Sequence, residues 1–258
     1  MANTDPPQVA QLQARIAALE AELAAVRRTQ SVFALGLAHD MRTPLRAVES
    51  FSYLLEQRSD ALDDQARDHL HRIREASARM TRLLSRMQSW MHVGTAPMAH
   101  GEVDLSYLAD WCAGELRDAA PDREATIDIA PALHVHGDER LLKTALQELL
   151  HNAWTYARPG APISIHVDGD RTPDGLHLRI RDDGIGFDAA HATKLGEPFQ
   201  RLHSSDYPDG CGLGLAIARA VAERHGGRLR LVSTAGQGTV AHLFLPAHPL
   251  PESALEAS

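Results

Sequence analysis

Apolar residues recur along the first third of the chain at alternating steps of three and four. Val9, Leu12, Ile16, Leu19, Leu23 and Val26 form a narrow a/d seam, the pattern of a left-handed coiled coil and hence of a dimer. The period runs on through Phe33 and Leu37, and Val48, Phe51 and Leu55 follow. The polar stretch RSDALDDQA at 58–66 interrupts it, and a second helical stripe then appears at Leu70, Ile73, Ser77, Met80, Leu84, Met87 and Met91. Two long amphipathic helices joined by a short polar loop predict an antiparallel hairpin. One hairpin cannot bury its stripe alone. Two hairpins from two chains make a four-helix bundle, fed directly by the leading coiled coil.

The segment HVGTAPMAHG at 92–101 carries glycines and a proline and reads as a linker. Beyond it the pattern turns to mixed helix and strand. LSYLADWCAGELRDAA (105–120) reads as a helix, ATIDIA (125–130) as a strand, and 137–158 as a helix N-capped by Asp138. ISIHVDG (163–169) and LHLRIRD (176–182) are strands about a turn, 212–227 is a helix stopped by glycine, and RLRLVS (228–233) with TVAHLFLP (239–246) makes a last hairpin. The expected organisation is a disordered start and coiled coil at 1–30, a helical hairpin at 31–95, a linker at 96–104, a two-layer α/β sandwich at 105–248 and a tail at 249–258. The fold class is therefore α+β.

Composition changes this picture little. The 258 residues suit roughly two domains, and 44% hydrophobic with 23% charged residues is ordinary for a globular protein. A net charge of −8 argues against an electrostatic grip on nucleic acid or anionic lipid. Two cysteines far apart, Cys112 and Cys211, support neither a disulfide framework nor a zinc cage. No apolar run is long enough to span a bilayer, so the expected location is the cytoplasm, as a free protein or as the inner part of a longer receptor.

Four short motifs of the α/β half carry candidate chemistry. In ELLHN, Glu148 and Asn152 lie four apart on one helix face, and a carboxylate beside an amide oxygen suits a hard cation such as magnesium. In DDGIG, Asp182 ends an alternating strand, so its carboxylate can be aimed into a pocket, while Gly184 and Gly186 let backbone approach a ligand. GCGLGL (210–215) sets glycine-rich backbone at a helix N-terminus, which offers N–H groups and the positive dipole end to phosphates. GQGT (236–239) closes the last hairpin. Between the second and third motifs runs KLGEPFQRLHSSDYPD (194–209), long for a plain connection and suited to a lid. Alone, each of the four is a solvated face or an ordinary turn; their order is the signal.

With LAHDMRTPL (37–45) at the start of the hairpin, residues 31–246 resemble the catalytic core of sensor histidine kinases. HDMRTPL is similar to the phosphoacceptor box, and ELLHNA, DDGIG, EPFQRL, GCGLGLAIA and GQGT are similar to the N, G1, F, G2 and G3 boxes. The wording of the hairpin looks closest to the phytochrome-like branch. The resemblance implies that His39 accepts the phosphoryl group, that Asp40 orients the imidazole and takes its proton, and that Thr43 positions water for dephosphorylating a response regulator. It implies ATP and Mg²⁺ as cofactors. Asn152 would hold the metal with Glu148 assisting, and Asp182 would accept from the adenine amine with Tyr156 nearby. Gly184, Gly186, Gly210, Gly212, Leu213, Gly214 and Thr239 would shape the nucleotide pocket, with Phe199 and Arg201 in the lid. The implied partners are a second copy of the chain, a response regulator receiver domain and an upstream sensor acting through the coiled coil.

The chain departs from the family at Thr155, where a lysine usually faces the phosphates; Arg158, nearly one turn on, is the expected substitute. That departure also keeps open a rival reading, a dimeric scaffold that binds nucleotide or a regulator without phosphorylating itself. Pro44 cannot donate to the carbonyl of Asp40, which predicts a weak point in the helix just past His39. The pairs His69/His71 and His134/His136 read as surface histidines, the latter sharing a strand face, and Trp90, Trp111 and Trp154 read as packing residues.

Overall fold

A computed structural model describes residues 15, 18, 36, 38, 40–57, 63–191, 195–200 and 212–247. His39, Arg201, Gly210, Cys211 and nearly all of the coiled-coil seam lie outside the described residues. The chain divides into two compact units, one reaching Thr95 and the other covering Ala96–Leu250.

The first unit is a helical hairpin of α1 (40–56) and α2 (Asp64–Thr95). Its pairing follows heptad logic. Arg42 bonds Gln88, Thr81 Oγ1 donates to Glu49 Oε1 at 3.1 Å, and Arg74 pairs with Glu56. Each pair steps seven residues forward in α1 and seven back in α2, which is how antiparallel helices keep one seam in register. Leu45, Ser52, Leu70 and Ser77 are buried in the hairpin, and Ser77 Oγ lies 3.5 Å from the Leu45 carbonyl. The helix is uninterrupted through Pro44, so the expected weak point shows no break. Much of the expected stripe is open to solvent: Val48 is 40% exposed, Phe51 67%, Leu55 53%, and Ile73 and Met80 each 47%.

The second unit is a two-layer α/β sandwich. Its elements are β1 (Gly101–Asp104), α3 (Leu105–Ala119), β2 (Ala125–Ile129), β3 (His134–Gly137), α4 (Glu139–Thr155), β4 (Ile163–Thr172) and β5 (Gly175–Asp182), then α5 (Gly214–Arg224), β6 (Arg228–Ser233) and β7 (Thr239–Pro246). Five strands form a mixed sheet in the order β2-β4-β5-β7-β6; β2 and β4 are parallel and the other pairs antiparallel. Alternation decides the layers. Ile163, Ile165 and Val167 of β4, Leu176, Leu178 and Ile180 of β5 and Ala241, Leu243 and Leu245 of β7 are buried together with Leu142, Leu146, Leu150, Ile217 and Val221 of the helices. The residues between them, such as His166, Asp168, Arg179 and Arg181, lie on the opposite, solvated face.

Two short strands escape the sequence pattern. β1 falls inside the expected 96–104 linker and pairs antiparallel with β3 from Gly101↔Gly137 to Asp104↔His134. This two-stranded sheet ties the entry of the unit to the start of α4. Asp138, the expected N-cap, accepts from Leu141 N at 3.1 Å and from Ala99 N at 2.7 Å. Burial works against its charge, but these bonds and Arg140 outweigh it and keep its pKa below the usual carboxylate value. Of the tryptophans, Trp154 is 6% exposed and packs in the core, whereas Trp111 is 49% exposed with Lys143 Nζ 4.0 Å from its ring centre. The second is thus a surface cation–π partner rather than a packing residue.

Candidate functional site

The candidate residues gather in two groups that α4 connects. The first lies where α4 meets the start of α5. A Cβ added to Gly214 would come within 2.6 Å of Glu148 Oε2 and 3.6 Å of Asn152 Nδ2, so the helix start sits directly on the polar face of α4. Leu213, at the N-cap position, has helical backbone angles and makes no side-chain capping bond. The positive end of the α5 dipole therefore faces the Glu148 carboxylate and the Asn152 amide. Gly212 holds φ at +70°, where a side chain would also strike the backbone of Phe199 and Gln200.

Asn152 supplies the sharpest signal. Its Nδ2 is buried and has no hydrogen-bond partner among the described residues, a condition native structures rarely leave without a reason. A half-turn of the amide exchanges Oδ1 for Nδ2, so the side chain can serve either an anionic oxygen or a cation. With the Glu148 carboxylate one helical turn earlier, the donor set is hard oxygen and fits magnesium.

The second group forms about 6 Å further along α4, at Tyr156, one turn beyond Asn152. The Tyr156 carbonyl accepts from Ile185 N at 2.9 Å, and a side chain on Gly184 would overlap that carbonyl. Asp182 ends β5 here. Its Oδ1 accepts from Gly184 N at 2.9 Å and from Thr239 N at 3.2 Å. Burial pushes its pKa up to about 6, the two N–H donors pull it down, and neighbouring Asp183 raises it. Gly186 (φ +59°) lies against the Thr234 carbonyl, and Gly236 N donates to Ile185 O at 2.7 Å, so the two glycine turns are pressed together.

Phe199 N donates to Gly212 O at 2.9 Å. Phe199 itself has φ +65° and is 52% exposed; an aromatic side chain held in the left-handed region is strained. Arg158 is not aimed as the sequence suggested. Its Nη2 donates to Gly236 O at 2.7 Å and its Nε to Gly184 O at 3.4 Å. Sequence reasoning also passed over Ser233, which is buried at the junction of the two turns; a lone serine at the end of a strand carries no motif signal. Thr43 and Asp40 are exposed on α1. A cavity of about 370 Å³ between α5 and β6 is lined by Gly196, Leu215, Arg219, Leu231, Val232 and Ser233 among others and contains none of the residues that the motifs singled out. Among the described residues no group of three or more His, Cys, Asp or Glu is placed to hold a metal ion by itself.

This arrangement, a polar helix face against a helix N-terminus and a part-buried strand-end carboxylate, is that of a nucleotide-binding ATPase domain placed after a helical hairpin. Residues 137–249 match the histidine kinase-, DNA gyrase B-, and HSP90-like ATPase family, and residues 29–91 match the His kinase A (phospho-acceptor) domain. The chain belongs to the sensor histidine kinase family. It is 31% identical over 215 residues to cyanobacterial phytochrome A of a Nostoc species, covering 83% of this chain and 28% of that protein. It is 30% identical over 225 residues to the phosphate regulon sensor protein PhoR of Pseudomonas aeruginosa, covering 83% and 50%. The chain thus spans between about a quarter and half of these relatives. Among solved structures, full-length ShkA in complex with AMPPNP shares the fold at a TM-score of 0.62 and 23% identity, covering 84% of this chain and 47% of that one.

Proposed function

We propose that this chain is the transmitter of a sensor histidine kinase, which phosphorylates itself on His39 from Mg-ATP and passes the phosphoryl group to an aspartate of a response regulator receiver domain. The observation that carries the reading is the buried Asn152 Nδ2, without a partner among the described residues, beside the start of α5. An anionic triphosphate answers both: it accepts from the amide and is drawn to the positive end of the helix dipole. Asn152 and Glu148 would hold Mg²⁺, which neutralises charge on the transferring phosphate. Asp182 accepts from the adenine amine, Tyr156 lies beside the base, and Gly184, Gly186, Thr239 and the 210–214 glycine turn with Leu213 shape the pocket. Phe199 and Arg201 belong to the lid.

In the transfer, a ring nitrogen of His39 attacks the γ-phosphorus, the bond to the bridging oxygen of ADP breaks, and ADP leaves. Asp40 accepts a hydrogen bond from the other ring nitrogen, fixing the tautomer, and takes the proton that the new P–N bond makes acidic. Thr43 follows His39 by four residues, the spacing of one helix face, and its hydroxyl would orient the water that hydrolyses the regulator's aspartyl phosphate. A second copy of the hairpin covers the stripe of Val48, Phe51, Leu55, Ile73 and Met80 and completes a four-helix bundle. The coiled coil carries the input from an upstream sensor, and the working compartment is the cytoplasm. No helix among the described residues is long and apolar enough to cross a membrane.

Incubation with γ-labelled ATP tests the reading. Acid-labile, base-stable label is expected on the wild type and not on His39→Gln. Thr155 in place of the usual lysine favours one rival, a nucleotide-binding scaffold without kinase activity; a wild type that binds ATP and takes up no label supports that rival and sinks the kinase.

A further inference from the structure

The two glycine turns around Asp182 are joined by side chains to which no motif gives a role. From the end of α4, the Arg158 guanidinium forks onto Gly184 O of one turn (3.4 Å) and Gly236 O of the other (2.7 Å). From the end of β6, Ser233 Oγ accepts from Phe187 N on the first turn at 2.9 Å and donates to Gly238 O on the second at 2.7 Å. With its own proton committed there, Ser233 Oγ receives the Thr239 hydroxyl at 3.0 Å. The two donors to Asp182 Oδ1 come one from each turn, Gly184 N and Thr239 N. The setting of the carboxylate therefore depends on the spacing between the turns, and Arg158 and Ser233 set that spacing from opposite ends.

We infer that Arg158 and Ser233 are positioning residues for purine recognition, and that Arg158 acts through the turns rather than by touching phosphate. This rests on the nucleotide-binding reading above and assigns the specificity of the same site. A guanidinium suits the task because its planar fork presents separate donors to two acceptors, which a lysine ammonium, a compact point charge, does not reproduce. The departure at Thr155 is then not repaired by Arg158; the residue does a different job.

The test is a set of dissociation constants on the full chain with Mg²⁺ present, for ATP, ADP, adenosine and GTP, read by competition against a fluorescent ATP analogue. Arg158→Ala is expected to weaken ATP, ADP and adenosine by one common factor, about 5- to 10-fold, and to narrow the preference for ATP over GTP. Arg158→Lys is expected to stay impaired, and Ser233→Ala to show the same common-factor loss. A variant folded only in part weakens all four ligands by one factor and leaves the ATP-over-GTP ratio unchanged, so the narrowed ratio is what separates positioning from misfolding. A loss confined to ATP and ADP and restored by Arg158→Lys would make Arg158 a phosphate contact and overturn the inference, as would unchanged constants for all four ligands. A wild type that binds none of them defeats the nucleotide reading itself.

Discussion

The helical hairpin and the α/β unit treat the same kind of residue in opposite ways. In the α/β unit, Leu142, Leu146, Leu150, Ile165, Leu178 and Leu243 are all no more than 2% exposed, and two layers suffice to hide them. In the hairpin, Phe51, Leu54 and Leu55 are each more than half exposed, although they lie on a helix patterned for burial. A sheet with helices on one face closes a core within one chain. A pair of helices has one seam between them and a second apolar stripe left over. The lesson is that one unit is complete in itself and the other is half of something, which is what a dimeric phosphoacceptor needs.

The comparison can be broken hardest in the α/β core. Leu146→Ala is expected to remove about 2–5 kcal/mol from this unit and leave hairpin association intact; calorimetry in which the α/β transition moves to lower temperature and the hairpin transition stays in place checks it. Next in size, Phe51→Glu puts a charge in the uncovered stripe of the hairpin. It is expected to dissociate the dimer in sedimentation experiments while ATP affinity stays at the wild-type value. Loss of ATP binding with dimerisation untouched would invert the assignment.

A smaller effect is expected at Asp182, whose pKa is raised from 3.8 to about 6 chiefly by burial. A carboxyl with a raised pKa binds more protons folded than unfolded. Stability therefore falls as pH rises from near 3.8 to near 6, and is flat from this group above that. Asp182→Asn keeps the acceptor oxygen and removes the charge. It is expected to gain about 3 kcal/mol at neutral pH, to lose that advantage below pH 4, and to bind ATP poorly; thermal unfolding across this range is the check. The smallest effect belongs to Trp111→Ala, which removes an exposed cation–π contact with Lys143 and is expected to cost about 0.5–1 kcal/mol with ATP binding unchanged.

How much of this was legible beforehand depends on the range of the interactions. The helices of both units, the strands from β4 onward and the cap at Asp138 follow from local periodicity and turn residues. β1 and β3 do not, because four-residue strands such as GEVD and HVHG are too short to show alternation, and they exist only by pairing across more than thirty residues. Glu148, Asn152 and Asp182 were visible as chemistry within short motifs. Ser233 and the true partners of Arg158 were not, since each acts on carbonyls brought to it from distant turns.

The sequence by itself determined the two kinds of unit, their order, and the residue types offered to phosphate, metal and base, because spacing along a helix or strand is a local property. Folding alone buries Asn152 Nδ2 without a partner among the described residues, beside the start of α5, holds Phe199 at positive φ and lays Arg158 across two turns. Burial, orphaned donors and carbonyl acceptors are properties of what lies across the space between segments, and no one-dimensional pattern specifies them.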